Sequence, residues 1–465
     1  MSTVWDAIVI GAGPAGLAAA SLLAEQGAQV VVLDEQPAPG GQIYRAIEAG
    51  QANAGLLRIL GPEYAHGGTL AARFRASGAS YRPGTQVWQV TAEREVWVTS
   101  GGRSELLQGR AVVLATGAME RPVPVPGWTL PGVMTAGAVQ ILLKSAQVLP
   151  AEGLVLAGSG PLLSVVAMQC LRAGVKPAAI LETATRADAL AALRHLPAAL
   201  GRVARGYLLK GVQMKLALWR AGIPVFREVS DIRIEGDTEA QAVSFRTPGG
   251  PRRVAATLVA LHEGVVPMTQ VTRSLGCEHV WDDAQCCFRP VLDSWGNSSV
   301  PGFLVAGDGG GIGGALAAEH AGRIAAWEVL HQLGRIDAAR RDAGAAPDRR
   351  ELAAHLAIRP LLERIFRPRA EILTPADEVV VCRCEEITAG QVREVVRHGC
   401  LGPNQAKSFL RAGMGPCQGR MCGLTVSALI AAERGIGMDE VGYFRIRPPL
   451  KPVTVGELAA MDIPR

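Results

Sequence analysis

Ala7-Ile-Val-Ile-Gly-Ala-Gly-Pro-Ala-Gly16 stands near the start of the 465-residue sequence; an Ala/Leu-rich run to Gln26, a break at Gly27 and Gln29-Val-Val-Val-Leu33 follow it. That order reads as strand, glycine turn, helix and second strand, with the helix N-terminus facing phosphates. Gly11 permits the tight turn, Gly13 lets a pyrophosphate approach the backbone, and Gly16 lets the helix lie close to the strand. Asp34 closes the second strand at the distance expected for an acid that binds a ribose hydroxyl, with Glu35 as the alternative. A glycine triplet alone would be weak, but here strand, helix and acid all sit where dinucleotide binding needs them.

Three later elements bear on which dinucleotide. Gly40-Gly41-Gln42-Ile-Tyr44 follows the acid, Ala111-Val-Val-Leu-Ala-Thr116-Gly117 is an apolar strand ending in Thr-Gly, and Ser299-Val-Pro-Gly-Phe-Leu-Val-Ala-Gly307-Asp308 is another whose end meets a new glycine-rich turn and helix. Together they resemble the two-dinucleotide-domain flavoprotein reductases. The resemblance implies FAD, with Asp308 on the ribityl chain and the glycine pair against the cofactor; an NAD-only domain is the other reading.

A second copy of the pattern runs from Gly153-Leu-Val-Leu-Ala157 through Gly158-Ser-Gly160-Pro-Leu-Leu163 to Ala178-Ala-Ile-Leu-Glu182. Gly158 and Gly160 keep the turn and the close approach. Leu163 replaces the third glycine, and its side chain should push the helix from the strand or shift the phosphate pocket. Adenine-nucleotide binding and a fold-preserving spacer both remain open for this unit. It contains no C-x-x-C, which argues against a disulfide-reductase cycle. Arg186 could meet a 2′-phosphate but reads better as a helix-start surface charge. Residues 190–222 read as inserted helices, with Leu193, Leu196, Leu200 and Val203 on one apolar face. His262, at the end of an apolar strand, reads as satisfied by backbone, and no catalytic residue is assigned.

The fold class is therefore α/β: a Rossmann-like FAD domain with an inserted NAD(P)-like domain, plus a small helical domain. Its expected limits are 1–120 with 266–335 for FAD binding, 121–265 for the insertion, 336–376 for a helical linker and 377–465 for the last domain and tail. A chain of this length exceeds one ordinary core. Between Gly334 and Arg350 an Ala, Arg and Asp-rich stretch with Gly344 and Pro347 reads as a domain boundary, followed by a helix from Glu351 to Phe366.

A net charge of +5, without a long basic run, gives no argument for nucleic acid. No apolar stretch is long enough for a membrane span, and the N-terminus lacks a signal-peptide pattern. The expected place is the cytoplasm, with peripheral attachment at the inner membrane face as a variant. Thiols stay reduced there, so clustered cysteines read as ligands or redox groups. Cys170, Cys277, Cys286, Cys287 and Cys400 lack motif partners and read as packing.

Cys382 and Cys384 form a C-x-C pair in Val379-Val-Val-Cys-Arg-Cys-Glu-Glu386; Cys417 and Cys422 form a C-x4-C pair in Gly415-Pro-Cys-Gln-Gly-Arg-Met-Cys-Gly423. Thr388-Ala-Gly-Gln391 is a capping box that starts a helix, so both pairs fall in loops at helix ends, where amides can bond sulfur. Zinc also takes four thiolates, but its usual spacing is C-x2-C. The quartet is better matched to a 2Fe–2S cluster.

Residues 379–423, including Pro403-Asn-Gln-Ala-Lys407, look like the domain related to bacterioferritin-associated ferredoxin. Joined to the flavoprotein half, the chain resembles over essentially its full length the α subunits of heteromeric flavin-dependent amino-acid dehydrogenases, such as opine oxidases, D-hydroxyproline dehydrogenase and hydrogen cyanide synthase. The resemblance implies a β subunit similar to amino-acid oxidases that oxidises the C–N bond, a small third subunit in some members, and FMN at a subunit contact. This chain would then pass electrons through the cluster to a quinone or other carrier. A self-sufficient NAD(P)H-dependent flavin reductase and a scaffold role are the competing readings.

Overall fold

The computed structural model describes residues 4–461. Val4–Ile10 lies between Val30–Leu33 and Arg103–Leu114, parallel to both, with Ala7 opposite Val30 on one side and Ala111 on the other. The seven-stranded sheet runs Ser80–Arg82, Val30–Leu33, Val4–Ile10, Arg103–Leu114, Glu95–Ser100, Gln86–Val90, and Phe303–Val305 joins Arg103–Leu114 along its last residues. Side chains alternate across it with the strand period of two. Ala7, Val9, Val30, Val32 and Val113 share a core with helices Pro14–Glu25 and Ala315–Gln332. Ile8, Ile10, Val31, Leu33 and Leu114 belong to a second core that runs on to Val381, Cys382 and Val426 of the last lobe.

The chain leaves this body along Ala118–Glu120 and returns along Val265–Pro267, and the two pair as an antiparallel ribbon. Between them lies a five-stranded parallel sheet ordered Val225–Arg227, Ala179–Glu182, Leu154–Ser159, Leu258–Glu263, Val133–Thr135, with a three-stranded antiparallel sheet beside it in the chain. The C-terminal ends of the central strands bring Ser159, Glu182 and Glu263 to one edge.

Two local expectations fail. The linker helix, expected from Glu351 to Phe366 after a boundary stretch, instead starts within that stretch and spans Ala338–Leu356, capped by the Asp337 side chain on the Arg340 N–H. Pro347 lies inside it, and an interior proline costs about 3 kcal/mol. Packing offsets that cost: Ala345 is fully buried, and a Cβ on Gly344 would come within 2.6 Å of the Trp327 ring. Periodicity missed the helix because its contact face is built from Ala and Gly rather than Leu. A separate short helix, Arg359–Ile365, follows. The second miss is the apolar face of residues 190–222, where Leu193, Leu196 and Leu200 are exposed and mostly lie in two 3-10 turns before helix Arg202–Arg220.

The last lobe holds helices Ala389–Arg397, Pro403–Leu410 and Gly423–Arg434, the first with the reciprocal Thr388/Gln391 capping box. Trp128 Nε1 donates to the Val380 carbonyl at 2.7 Å, and the Trp281 N–H donates to Asp439 at 2.8 Å. The tail returns to the first domain, where the Leu450 N–H meets the Trp88 carbonyl and Lys451 pairs with Glu35. Among the described residues, no helix is long and apolar enough to cross a membrane.

Candidate functional site

At the first turn, Gly11 has φ +106°, and a Cβ there would lie 2.4 Å from the Ala115 carbonyl oxygen. A Cβ on Gly16 would lie 1.9 Å from the Gly11 oxygen, so the helix can start this close only with glycine. Gly13 is open: its nearest neighbour to an added Cβ is the Gly41 Cα at 3.8 Å. Gly40 and Gly41 both have positive φ, and the Gly40 N–H donates to the Ala12 carbonyl, which folds the Gly40 to Tyr44 loop over the turn. Asp34 accepts from the Ala12 N–H at 2.6 Å and from the Gln36 N–H at 2.7 Å, so its carboxylate is held rigidly at the strand end. Glu35 is turned to Lys451 instead. The Thr116 hydroxyl donates to the Met268 carbonyl, and Gly117 has open space where a side chain would be. Asp308 Oδ1 accepts from the Gly313 and Gly314 N–H groups at 2.8 and 2.9 Å, so the carboxylate caps the turn before helix Ala315–Gln332.

Arg45 is a residue that sequence reasoning passed over. Its Nε and the Tyr81 hydroxyl are buried without a partner among the described residues, and both groups feel the Asp34 charge. Buried donors left unpaired are costly, and an adenosine moiety beside Asp34 would satisfy them; the residues present fit a dinucleotide. Lys144 was also missed, because it arrives from outside the motif. It is buried, donates to the Gln42 and Ile43 carbonyls and to Gln140, and burial takes it down to about 7.

The second turn is built differently. A Cβ on Gly158 would meet the His262 carbonyl oxygen at 1.8 Å, which matches the packing of Gly11. At Gly160 the neighbour is the His262 ring, 3.2 Å from an added Cβ. His262 is not satisfied by backbone as expected: its Nδ1 lies 2.7 Å from Glu120 Oε1, while Glu120 Oε2 accepts from the Gly137 N–H. Leu163 is buried among Leu154, Leu156 and Val166, so the helix start accommodates a whole side chain where the first turn has none. Glu182 faces Lys215 and Arg227. The Glu263 carboxyl is pushed up by burial and accepts from Thr183 at 2.7 Å. Arg369, from the segment after the linker helices, pairs with Asp188 at 2.8 Å and feels the Glu263 charge, while Ile372 and Val379 share a core with Val155, Ala157 and Leu261. A strap of chain thus reaches the strand ends of the second sheet.

The four cysteines meet as two thiol pairs. Cys382 lies beside Cys422, and Cys384 beside Cys417, and Cys422 feels all three of the others. Cys382 is taken down to about 6, first by the Cys422 thiol and then by the amides of Gly413, Glu385 and Cys384, while Cys422 is pushed up by the same pairing and by burial. A Cβ on Gly415 would lie 2.2 Å from the Cys384 Cβ, so glycine is needed there. Arg420 donates to the Cys417 and Leu450 carbonyls, its Nε is buried without a partner among the described residues, and the guanidinium feels Cys417. Neighbouring thiols, amides aimed at sulfur and a half-buried guanidinium beside them make a soft donor set that would fit an anionic iron–sulfur cluster. The five remaining cysteines are buried, as read from the sequence.

Residues 5–322 match the family described as pyridine nucleotide-disulphide oxidoreductase. The chain belongs to this family. Residues 378–462 of the flavoprotein match the sarcosine oxidase A3 domain. It is 48% identical to the opine oxidase A-subunit of Rhizobium meliloti over 99% of this chain and 100% of that one. To the HcnB subunit of hydrogen cyanide synthase from Pseudomonas aeruginosa it is 35% identical, over 96% of each chain. The structure of L-proline dehydrogenase from P. horikoshii superposes with a TM-score of 0.72, covering 98% of this chain and 80% of that one at 19% identity, a likeness of fold. The flavoprotein is thus an FAD-dependent oxidoreductase of the α-subunit type found in heteromeric dehydrogenases, as its motifs indicated.

Proposed function

We propose that this α subunit serves a heteromeric dehydrogenase for an amino or imino acid of the D-hydroxyproline, proline or opine type. Carbon chemistry would take place on a β subunit, and electrons would leave this chain through a 2Fe–2S cluster toward a quinone-like or other carrier. The observation that carries the reading is the pairing of Cys382 with Cys422, which share one core, and of Cys384 with Cys417, in a lobe fastened to the flavin fold. The full-length relative from opine oxidase supports the substrate class.

When bound, FAD accepts electrons in pairs and an iron–sulfur centre carries them singly. The chain's own residues position these groups. Gly11, Gly13 and Gly16 with the Gly40 to Tyr44 loop would hold the pyrophosphate, Asp34 and Arg45 the adenosine end, and Thr116, Gly117 and Asp308 the far end. The Gly413, Glu385 and Cys384 amides would stabilise thiolate at Cys382, and Arg420 would balance charge beside Cys417.

A competing reading is direct reduction by NAD(P)H. The His262 ring at Gly160, the buried Leu163 and the Arg369 strap all weigh against a pyridine nucleotide lying across the second turn toward the flavin. Anaerobic stopped-flow separates the two. NADPH or NADH should leave the flavin of the isolated chain oxidised, and a cognate amino or imino acid should bleach it once the β subunit is added. Rapid bleaching by a pyridine nucleotide alone would sink the proposal.

A further inference from the structure

Where helix Ala315–Gln332 packs beside the linker helix Ala338–Leu356, three side chains that belong to none of the cofactor motifs converge: His320, Glu351 and His355. One potential ligand atom from each lies within 4.8 Å of the others. Glu351 and His355 are four residues apart on one helix and therefore share a face; His320 comes from the other helix. His355 is buried, and His320 and Glu351 are half-buried.

Both imidazoles are held from behind. Asp348 Oδ1 lies 2.7 Å from His320 Nδ1, with Arg323 bonded to the same oxygen at 2.6 Å and its Nη2 2.8 Å from that ring nitrogen. The Tyr207 hydroxyl, from helix Arg202–Arg220, lies 2.9 Å from His355 Nδ1. The two rings are stacked, with centroids 5.6 Å apart. In the tautomer with Nδ1–H donating to Asp348 in His320 and to the Tyr207 oxygen in His355, each Nε2 lone pair is left to bind a ligand, and a bound cation would select that tautomer over the one in which Arg323 donates to His320 Nδ1. A carboxylate behind one ligand histidine is the arrangement that fixes tautomer and orientation in metal sites. Asp348 is already paired with Arg323, but Arg202 approaches Glu351 only at 3.9 Å, so the Glu351 carboxylate is left to meet a cation.

We infer that His320, Glu351 and His355 form a binding site for a divalent first-row cation of the zinc type, oriented by Asp348 and Tyr207. Two imidazoles and a carboxylate suit such ions and leave coordination positions for water. The ion would pin the linker helix, and with it the approach to the last lobe, to the flavin-domain helix.

The test is equilibrium dialysis of the chelator-washed, flavin-bound full chain against micromolar Zn2+. Wild type should retain one equivalent, and so should Cys417→Ser, which removes a member of the cysteine quartet. His355→Ala and Glu351→Gln should lose it, with flavin absorbance unchanged. Asp348→Asn, which keeps all three ligands, should weaken retention about tenfold. Glu351→Gln alters a half-buried side chain and keeps the test sound if His355→Ala does not fold. Equal zinc in wild type and both ligand variants, no zinc in wild type, or zinc lost in Cys417→Ser and kept in His355→Ala would overturn the assignment.

Discussion

The two glycine turns share a sequence pattern and differ in what faces them. In each, the first glycine presses on the neighbouring strand: Gly11 on the Ala115 oxygen, Gly158 on the His262 oxygen. They part at the second and third positions. Gly13 looks onto another glycine, Gly41, whereas Gly160 looks onto an imidazole; Gly16 touches the Gly11 carbonyl, whereas Leu163 fills a core. One turn is open to a cofactor, and the other is packed with protein side chains.

The most damaging change would impose the second arrangement on the first. Gly16→Leu has no space beside the Gly11 oxygen, and overpacking typically costs about 1–3 kcal/mol, more where, as here, the clash is with backbone. The variant should purify without flavin, as read from the visible absorbance; retention of flavin at wild-type level would show the third glycine dispensable. The reverse swap, Leu163→Gly, removes a buried side chain at a cost of about 2–5 kcal/mol. It should lower the melting temperature, keep flavin and still give no bleaching by NADPH. Rapid bleaching would mean that Leu163 alone, and not His262 with the strap, closes the second turn.

Arg45→Ala tests the open turn more gently. Loss of a hydrogen bond involving a charged group is worth about 1.5–3 kcal/mol, so FAD should dissociate roughly ten- to a hundredfold more readily, measured by fluorescence on dilution. Unaltered affinity would place the adenosine end away from Arg45. The smallest effect concerns Lys144, which ties helix Ala136–Ala146 of the inserted unit to the Gln42 and Ile43 carbonyls above the first turn. Burial takes it from 10.5 to about 7. Between those values the unfolded chain holds a proton that the folded chain has released, so this group makes stability rise with pH, by at most about 1.4 kcal/mol per unit. Below pH 7 both states are protonated and the slope ends. Urea unfolding at pH 7, 8 and 9 should show the rise in wild type and its loss in Lys144→Met.

Much of the fold was legible because strands and tight turns announce themselves locally. Apolar runs such as Ala7 to Ile10 and Ala111 to Leu114 need only their own residues to be read. The helix over Ala338–Leu356 was not legible, since a helix that packs through Ala345 and Gly344 against Trp327 lacks the large apolar stripe that periodicity detects. Leu193, Leu196 and Leu200 mislead in the opposite sense: their spacing suits a helix face, yet they stand exposed in short turns.

The same division runs through the sites. Residue order alone establishes the repeated strand, turn and helix units and the C-x-C and C-x4-C pairs, because backbone geometry at glycine and ligand spacing at cysteine are short-range properties. Tertiary contact alone decides that His262 meets Glu120 from 142 residues away, that Arg369 crosses to Asp188, and that His320 and His355 come together. Those partners lie on elements joined only through packing, and the pattern of no single segment encodes which surface another segment will cover.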